Sequence, residues 1–402
     1  MRYLKLYLWL ICLLPSAPLL AGSEPIPILN YGDPKAAALW QAFQQLESGA
    51  RHEPLRIMQL GDSHTGGDYF TGQLRLRLQN QYGNAGIGWL TPGYITNQRS
   101  QQVLLRGGNG WKLSDAKQNK HTGIFPLGGF INTSTGNSIL EIKAKEAPAA
   151  GQWRLGIWQQ PRSTPWSLAL PGGKLHKLTV QGSSASAWRL STQELSAANV
   201  NGLKLLAPAG GQLGGVVLDR MVPGITLDAL GNNGSVANVI IPWNSTSLRE
   251  QLQWRDPQLI IIAYGTNEAF SPDIVPETYE AELRQVIRNL RAAAPDAAIL
   301  LLGAPSSAKS RPPHVKDRCK IPLPPSLVKV QNSQRRIARQ EQTLYWDWAA
   351  MMGGNCGAQF WLKQHVPLMR PDLVHMSAEG YAASADALYI ALLGQIDQAN
   401  KP

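Results

Sequence analysis

The fold is decided by the stretch Ile57-Met58-Gln59-Leu60-Gly61-Asp62-Ser63-His64-Thr65-Gly66-Gly67. Residues 55–59 are mostly apolar and β-like, the character then changes to Gly, Asp and Ser, and an apolar helical pattern begins at Tyr69. This order predicts a strand, a sharp turn and a helix, with Ser63 at the turn. Such a turn presents a hydroxyl at the C-terminal edge of a sheet, where open α/β sheets bind ligands. Taken alone, Ser63 is equally well explained as a helix cap or as a nucleophile.

Helical and strand patterns alternate on both sides of this turn, which is typical of a parallel sheet covered by helices on both faces. Val239 and Ile240 are expected in a strand. The other predicted elements are helices over 33–48, 246–254, 275–294, 326–340 and 378–396, and strands over 259–264, 298–302 and 344–346. A loop is expected to begin with Gly86-Ile87-Gly88-Trp89.

Between residues 101 and 222 the helical pattern disappears. Short runs with a period of two replace it, around 140–144, 153–157, 178–180, 203–205 and 216–218, separated by Gly, Ser, Asn and Pro. This pattern predicts an all-β sandwich or jelly roll inserted into the α/β domain. Most of its tryptophans are expected in its core, these being Trp111, Trp153, Trp158, Trp166 and Trp188.

The N-terminus has the pattern of a secretory signal. Arg2 and Lys5 precede an apolar run over 6–14, which is followed by small residues up to Gly22. The run is too short for a transmembrane helix. We therefore expect export to the periplasm and no transmembrane segment after signal removal, with cleavage after residue 17, 21 or 22. The predicted division is a signal peptide (1–22), an α/β domain in two parts (23–100 and 223–402) and the β insert (101–222).

Two cysteines, Cys319 and Cys356, remain after signal removal. In an oxidising compartment this pair predicts one disulfide, and two free thiols are the alternative. The chain has 38 Lys and Arg against 27 Asp and Glu, a net charge of +11. These basic residues are scattered, so no nucleic-acid partner is predicted, whereas a basic surface suits an anionic polymer such as a cell wall.

Three further loops carry polar groups suited to acyl transfer. Asp372 and His375 lie three residues apart, so the carboxylate can orient the imidazole, and His375 can activate Ser63 as the nucleophile. The tetrahedral intermediate needs hydrogen-bond donors for its oxyanion. The backbone N–H groups of Ser63 and Gly234 and the side chain of Asn267 are the candidates.

These motifs, in this order, resemble the four blocks of the SGNH (GDSL) hydrolases: Gly61-Asp62-Ser63, a glycine-bearing loop, Gly265-Thr266-Asn267-Glu268 and Asp372-x-x-His375. In the glycine block, Gly231 fits nearly as well as Gly234. His64 stands where many members have Leu. We expect its side chain either to pack against the catalytic residues without contacting the substrate, or to be exposed to solvent.

An exported SGNH enzyme with GDSHT, GTNEA and an inserted β domain is similar to the bacterial peptidoglycan O-acetylesterases. That resemblance implies a three-layer α/β/α, flavodoxin-like sheet, an insert like a carbohydrate-binding module, and no metal or organic cofactor. It also implies O-acetylated peptidoglycan as the partner, with acetyl groups removed from the C6 hydroxyl of N-acetylmuramic acid.

Three other functions stay open at this point. The same chemistry suits acetylated xylan or another exopolysaccharide, and acetyl transfer to a glycan would use the same groups. A glycan-binding wall protein without activity is the third alternative. Peripheral association with the membrane or the wall also stays open.

Overall fold

The computed structural model describes residues 25–118, 124–181, 187–309 and 321–399. The expected signal peptide, residues 1–22, lies outside these ranges and stays a prediction. Within them the strands are β1 (Leu29–Asn30), β2 (Pro54–Gly61), β3 (Gly86–Leu90), β4 (Val103–Arg106), β5 (Trp111–Asp115), β6 (Phe130–Ser134), β7 (Ser138–Ala144), β8 (Gln152–Gln159), β9 (Ser167–Ala169), β10 (Leu175–Lys177), β11 (Arg189–Ser196), β12 (Leu203–Ala207), β13 (Gln212–Arg220), β14 (Gly224–Gly231), β15 (Leu259–Ala263), β16 (Ala298–Leu302) and β17 (Leu344–Trp346).

The helices follow the same numbering along the chain. They are α1 (Ala36–Glu47), α2 (Ser63–Gly66), α3 (Tyr69–Tyr82), α4 (Ala197–Val200), α5 (Ser245–Arg255), α6 (Thr266–Phe270), α7 (Pro276–Ala293), α8 (Leu327–Gln340), α9 (Trp348–Met351), α10 (Gly357–Leu362) and α11 (Ala378–Ala399), with a 3₁₀ helix over Ala237–Ile240.

One sheet has the strand order β1-β17-β16-β15-β2-β14. Its neighbours are parallel except for the short edge strand β1, which is antiparallel to β17. Counting β2, β14, β15, β16 and β17 as the first to fifth strands gives the order 2-1-3-4-5 of flavodoxin-like sheets. The predicted doubly wound fold is confirmed, and its switch point lies between β2 and β15.

Alternating side chains of the central strands pack on opposite faces of this sheet. In β15, Ile260 and Ile262 belong to a core shared with α5, α7 and α8, whereas Leu259 and Ile261 belong to a core shared with α1, α3 and α11. Strands buried on both faces read as continuous apolar runs. This explains why β15 and β16 are recognisable in the sequence.

The inserted region forms two antiparallel sheets, ordered β10-β9-β12-β7-β4 and β11-β8-β13-β6-β5, with β3 paired to β13. Their facing side chains make one core, to which Leu140 and Leu205 contribute from the first sheet and Leu155 and Val216 from the second. The predicted sandwich is therefore confirmed. Trp153 and Trp166 lie in this core and Trp111 packs against it, whereas Trp158 and Trp188 are buried in the core shared with α5, α7 and α8.

The other face of the sheet that contains β8 packs on the α/β domain. Trp158 of β8 meets Trp254 of α5 edge to face, with ring centroids 5.9 Å apart. At the end of α5, the guanidinium of Arg255 pairs with the carboxylates of Asp219 in β13 and Asp228 in β14. The insert and the parallel sheet therefore share a buried interface.

Two local predictions are wrong. The segment Gly86–Leu90 is a strand, not a loop, and Val239 and Ile240 lie in a 3₁₀ helix, not in a strand. A third difference is β14, which the sequence pattern did not indicate, because Thr226 and Asp228 interrupt its apolar run. Both residues are buried and bound by Arg255, so the polar positions are compensated inside the fold.

The predicted boundaries of the insert, 101 and 222, remain a proposal. Two strand pairings bear on these boundaries. β3 precedes residue 101 but pairs with β13. β14 begins at Gly224 and pairs with β2. No strand covers Leu178 and Val180.

Candidate active site

Ser63 lies at the switch point of the parallel sheet. β2 ends at Gly61, and α2 begins at Ser63. The Asp62 carboxylate accepts a hydrogen bond from the N–H of His64 at 3.0 Å and so caps this short helix. Gly61 is required for the turn, because a Cβ there would lie 2.1 Å from Thr65 Oγ1 and 2.8 Å from the carbonyl oxygen of Ala263. The cap is therefore Asp62, which leaves the Ser63 hydroxyl free for another partner.

That partner is the imidazole of His375. Ser63 Oγ lies 3.0 Å from His375 Nε2, and His375 Nδ1 lies 2.9 Å from Asp372 Oδ2. The other oxygen of Asp372 accepts hydrogen bonds from the N–H groups of Val374 and His375, both at 2.9 Å. Ser63, His375 and Asp372 thus form one continuous hydrogen-bonded chain.

The charge of Asp372 is stabilised by these contacts. Partial burial by itself would raise its pKa, but the N–H groups of His375 and Val374 and the adjacent imidazole hold the pKa below its usual value. The carboxylate is therefore ionised near neutral pH, where it can stabilise an imidazolium at His375.

The structure of the glycine loop distinguishes between Gly231 and Gly234, the two candidates for the second backbone N–H donor to the oxyanion. Gly231 is the last residue of β14, and a Cβ there would lie 2.1 Å from the nitrogen of Gly66, so glycine is needed for packing against α2. Gly234 is exposed, has φ +73°, and its N–H has no partner among the described residues. These observations favour Gly234 as the donor.

Asn267 lies next to both of these segments. Its Nδ2 donates to the carbonyl oxygen of Ser235 at 2.8 Å and lies 3.5 Å from Asp62 Oδ2. It is the second residue of α6, directly after the carboxyl end of β15. The structure therefore brings Asn267 beside the turn that carries Ser63 and the loop that carries Gly234.

Two buried carboxyls lie beside Asn267, and their protonation was not predictable from the sequence pattern. Burial raises the pKa of Asp62 to about 8, although the N–H of His64 opposes the shift. Burial likewise raises the pKa of Glu268 to about 7, against the N–H of Ala237, which donates to it at 2.8 Å. Both carboxyls thus favour the neutral form more than exposed carboxyls do.

His64 is buried beside the catalytic residues and is not exposed, which agrees with the first of the two positions expected for it. Its ring centroid lies 5.7 Å from that of His375, and its Nδ1 lies 2.8 Å from the hydroxyl of Tyr381. Burial, with a smaller contribution from His375, lowers the pKa of His64 to about 3, so the ring is neutral near neutral pH. The sequence contained no signal for the Tyr381 contact.

Cys356 precedes α10 and is disulfide-bonded. Its expected partner, Cys319, lies outside the described residues, so the pairing stays a prediction. In the described parts of the chain, no helix is both long and apolar enough to cross a membrane. The same residues contain no cluster of three or more His, Cys, Asp or Glu suited to a metal ion.

Two family models match the chain. The GDSL-like lipase/acylhydrolase family matches residues 211–383, and the N-terminal region of the peptidoglycan O-acetylesterases matches residues 85–197. The second match covers much of the β insert, whereas the first covers Asn267, Asp372 and His375. No curated protein matches the chain.

A solved structure of a peptidoglycan O-acetylesterase is 30% identical, covers 92% of this chain and 99% of its own, and superposes with a TM-score of 0.79. An acetyl xylan esterase is 17% identical over 42% of this chain and 81% of its own, with a TM-score of 0.32. A family two carbohydrate esterase from Cellvibrio japonicus is 13% identical over 73% of this chain and 99% of its own, with a TM-score of 0.29. The chain therefore belongs to the peptidoglycan O-acetylesterase family of GDSL-like acylhydrolases, and it is a carboxylic ester hydrolase.

Proposed function

We propose that this protein hydrolyses O-acetyl groups on the N-acetylmuramic acid residues of peptidoglycan. The observation that carries the chemistry is the hydrogen-bonded chain from Ser63 through His375 to Asp372. The similarity to a peptidoglycan O-acetylesterase over nearly the whole chain supports the substrate.

In the first half of the reaction, Ser63 Oγ attacks the acetyl carbonyl carbon, and His375 Nε2 takes the hydroxyl proton. Asp372 holds the imidazole in the required orientation and stabilises the imidazolium. When the tetrahedral intermediate collapses, His375 returns the proton to the oxygen of the sugar, which leaves as a free hydroxyl. The acetyl group stays on Ser63 as an ester.

In the second half, His375 removes a proton from water, which attacks the acetyl-enzyme. As this intermediate collapses, His375 returns that proton to Ser63 Oγ, which restores the hydroxyl, and the released acetic acid ionises to acetate. No cofactor is required by these steps. We propose that the oxyanion of both intermediates accepts hydrogen bonds from the N–H groups of Ser63 and Gly234 and from Asn267 Nδ2.

The substrate requires an extracytoplasmic location, and the N-terminal pattern over residues 1–22 supports export to the periplasm. Wall association through the insert at 101–222, and a Cys319–Cys356 disulfide formed after export, are parts of the same proposal.

The test is acetate release from O-acetylated peptidoglycan, with acetylated xylan and an activated acetyl ester measured beside it. We expect release from peptidoglycan by the wild type and a loss of roughly 10⁴-fold or more in Ser63→Ala. Unchanged circular dichroism would show that this variant is folded. Acetate release from xylan alone would indicate that the substrate is another acetylated polysaccharide and not peptidoglycan. Full activity of Ser63→Ala would remove Ser63 from the mechanism, and folded wild type without activity on any of the three would contradict the proposal.

A further inference from the structure

A cavity of about 200 Å³ lies between the α/β domain and the β insert. Gly66, the last residue of the helix that begins at Ser63, lines it, as do Ala229 of β14 and Trp89 and Leu90 of β3. Three residues of helix rise by about 4.5 Å, so the cavity begins one helical turn from Ser63. The cavity is therefore close enough to Ser63 for one glycan to contact both.

The segment 91–102 forms the rim of this cavity and is attached to the reacting centre at three points. Arg99 N donates to the carbonyl oxygen of Gly66 at 3.2 Å, and Gln98 Nε2 donates to that of Gly231 at 2.9 Å. Asn233 Nδ2, from the glycine loop, donates to the carbonyl oxygen of Asn97 at 3.1 Å. The rim is thus fixed against both the turn of Ser63 and the proposed oxyanion loop.

The charge in this cavity is positive. Asp68 is the one acidic residue in its lining, and it is buried and bound by Arg75 at 3.0 Å, by Thr71 and by the N–H of Gln101. The charges of Asp68 and Arg75 therefore cancel. The remaining charges are those of Arg99 and Lys145, both exposed at the rim.

Neither of these two cations is paired with a carboxylate in the described parts of the chain. Arg99 lies over the ring of Tyr69, 4.6 Å from its centroid, and contacts the Tyr69 hydroxyl. Lys145 Nζ donates to the carbonyl oxygen of Ser100 at 2.7 Å. A guanidinium has five donors and an ammonium three, so both retain donors for a ligand.

The rest of the cavity suits a sugar. Its lining includes Trp89, Leu90, Ile95 and Val103, and Tyr94 stands at the rim with 67% of its surface exposed. An aromatic face with a polar tip suits a pyranose ring, which is apolar on its faces and polar at its edge. The combination of an apolar floor, an exposed aromatic ring and two unneutralised cations fits an anionic glycan better than a neutral one.

We propose that this cavity is a substrate subsite in which Arg99 and Lys145 bind a carboxylate carried by the acetylated muramic acid residue. This inference rests on the proposed function, because muramic acid carries such groups through its lactyl ether or the attached peptide. It assigns to this cavity the discrimination between peptidoglycan and neutral acetylated polysaccharides. Both cations act on binding and neither enters the acyl transfer.

The test compares kcat/KM on three O-acetylated substrates: glycan strands with intact peptides, the same strands after removal of the peptides, and a polymer of N-acetylglucosamine. The variants are Arg99→Gln and Lys145→Gln. The measured quantity is the ratio of kcat/KM on a carboxylate-bearing substrate to that on the neutral polymer, so that any effect on the shared chemistry cancels. Arg162→Gln is the matched control, since Arg162 is an exposed arginine of the insert outside this cavity.

We expect each of the two variants to lower this ratio by about 3- to 10-fold, mainly through KM, as for the loss of a partly exposed charged contact. Arg162→Gln should leave the ratio unchanged. If the ratio also falls on peptide-free strands, the group bound is the lactyl carboxylate. If it falls only on intact strands, the group bound is a carboxylate of the peptide.

Two results would overturn the inference. One is an unchanged ratio in both variants while the wild type remains active on peptidoglycan, which leaves the proposed function intact. The other is an equal decrease in Arg162→Gln, which would indicate general attraction by the basic surface. Absence of wild-type activity on peptidoglycan would reject the proposed function and this subsite together.

Discussion

His64 Nδ1 and the hydroxyl of Tyr381 lie 2.8 Å apart, and this hydrogen bond joins the helix that begins at Ser63 to the helix that follows His375. Both side chains are buried. Tyr69 stacks on Tyr381 with the two rings 3° from parallel, and the guanidinium of Arg99 lies over the Tyr69 ring, 4.6 Å from its centroid. The segments that carry Ser63 and His375, which are 312 residues apart, are therefore held together by more than their own contact.

Tyr381→Phe should destabilise the protein by about 1–3 kcal/mol, because it leaves a buried ring nitrogen of His64 without its partner. The measurement is the free energy of unfolding in urea. Tyr389→Phe, on the same helix, is the control, since Tyr389 is only partly buried and its hydroxyl has no hydrogen bond among the described residues. Equal stability of the two variants would contradict a role for the His64–Tyr381 contact.

Asn267→Ala should lower kcat by about 10²–10³-fold with little change in KM, because an oxyanion donor acts mainly in the transition state. Steady-state kinetics on an activated acetyl ester would measure both constants. Asn201→Ala, at an exposed asparagine of the insert, should behave as the wild type. A variant that raised only KM would place Asn267 in ground-state binding instead.

The contribution of Glu268 to the stability of the protein should fall as pH rises from about 5 to 7. Burial raises the pKa of Glu268 from 4.5 to about 7, so in this window the folded state keeps a proton that the unfolded state has released. The contribution is up to about 1.4 kcal/mol per pH unit.

Glu268→Gln cannot titrate, so its free energy of unfolding should depend less steeply on pH in this window. Urea unfolding at pH 5, 6 and 7 measures the slopes. Glu194→Gln, at an exposed position, should keep the wild-type slope. Identical slopes for Glu268→Gln and the wild type would show that Glu268 is ionised throughout.

Arg255→Met should destabilise the protein by about 3–5 kcal/mol, since it leaves the buried carboxylates of Asp219 and Asp228 without their shared cation. Arg249→Met, at an exposed position of the same helix, should have little effect. The triple variant with Asp219→Asn and Asp228→Asn should recover part of the loss. Failure to recover any would indicate that packing of the Arg255 side chain, not charge, stabilises this interface.

Much of the fold followed from local pattern. β15 and β16 are short continuous apolar runs, and α7 has one apolar face, so each was recognisable without knowledge of its neighbours. β14 was not, because its polar positions are compensated by Arg255, a residue 27 positions away from Asp228. β3 was missed for a related reason. Gly86 is explained by the close approach of the β13 backbone, and Gly88 by that of the Asp228 side chain in β14, and both strands are distant in the sequence.

The sequence by itself determined the order of the motifs, the alternation of strands and helices, and the residue types needed for acyl transfer. These properties depend on neighbours within a few positions, which a linear pattern records. Only the tertiary structure decided that Ser63, His375 and Asp372 meet in one hydrogen-bonded chain, that His64 is buried against Tyr381, and that a basic cavity opens beside Gly66. Those relationships join residues far apart in the chain, and packing of the sheet, its helices and the insert brings them into contact.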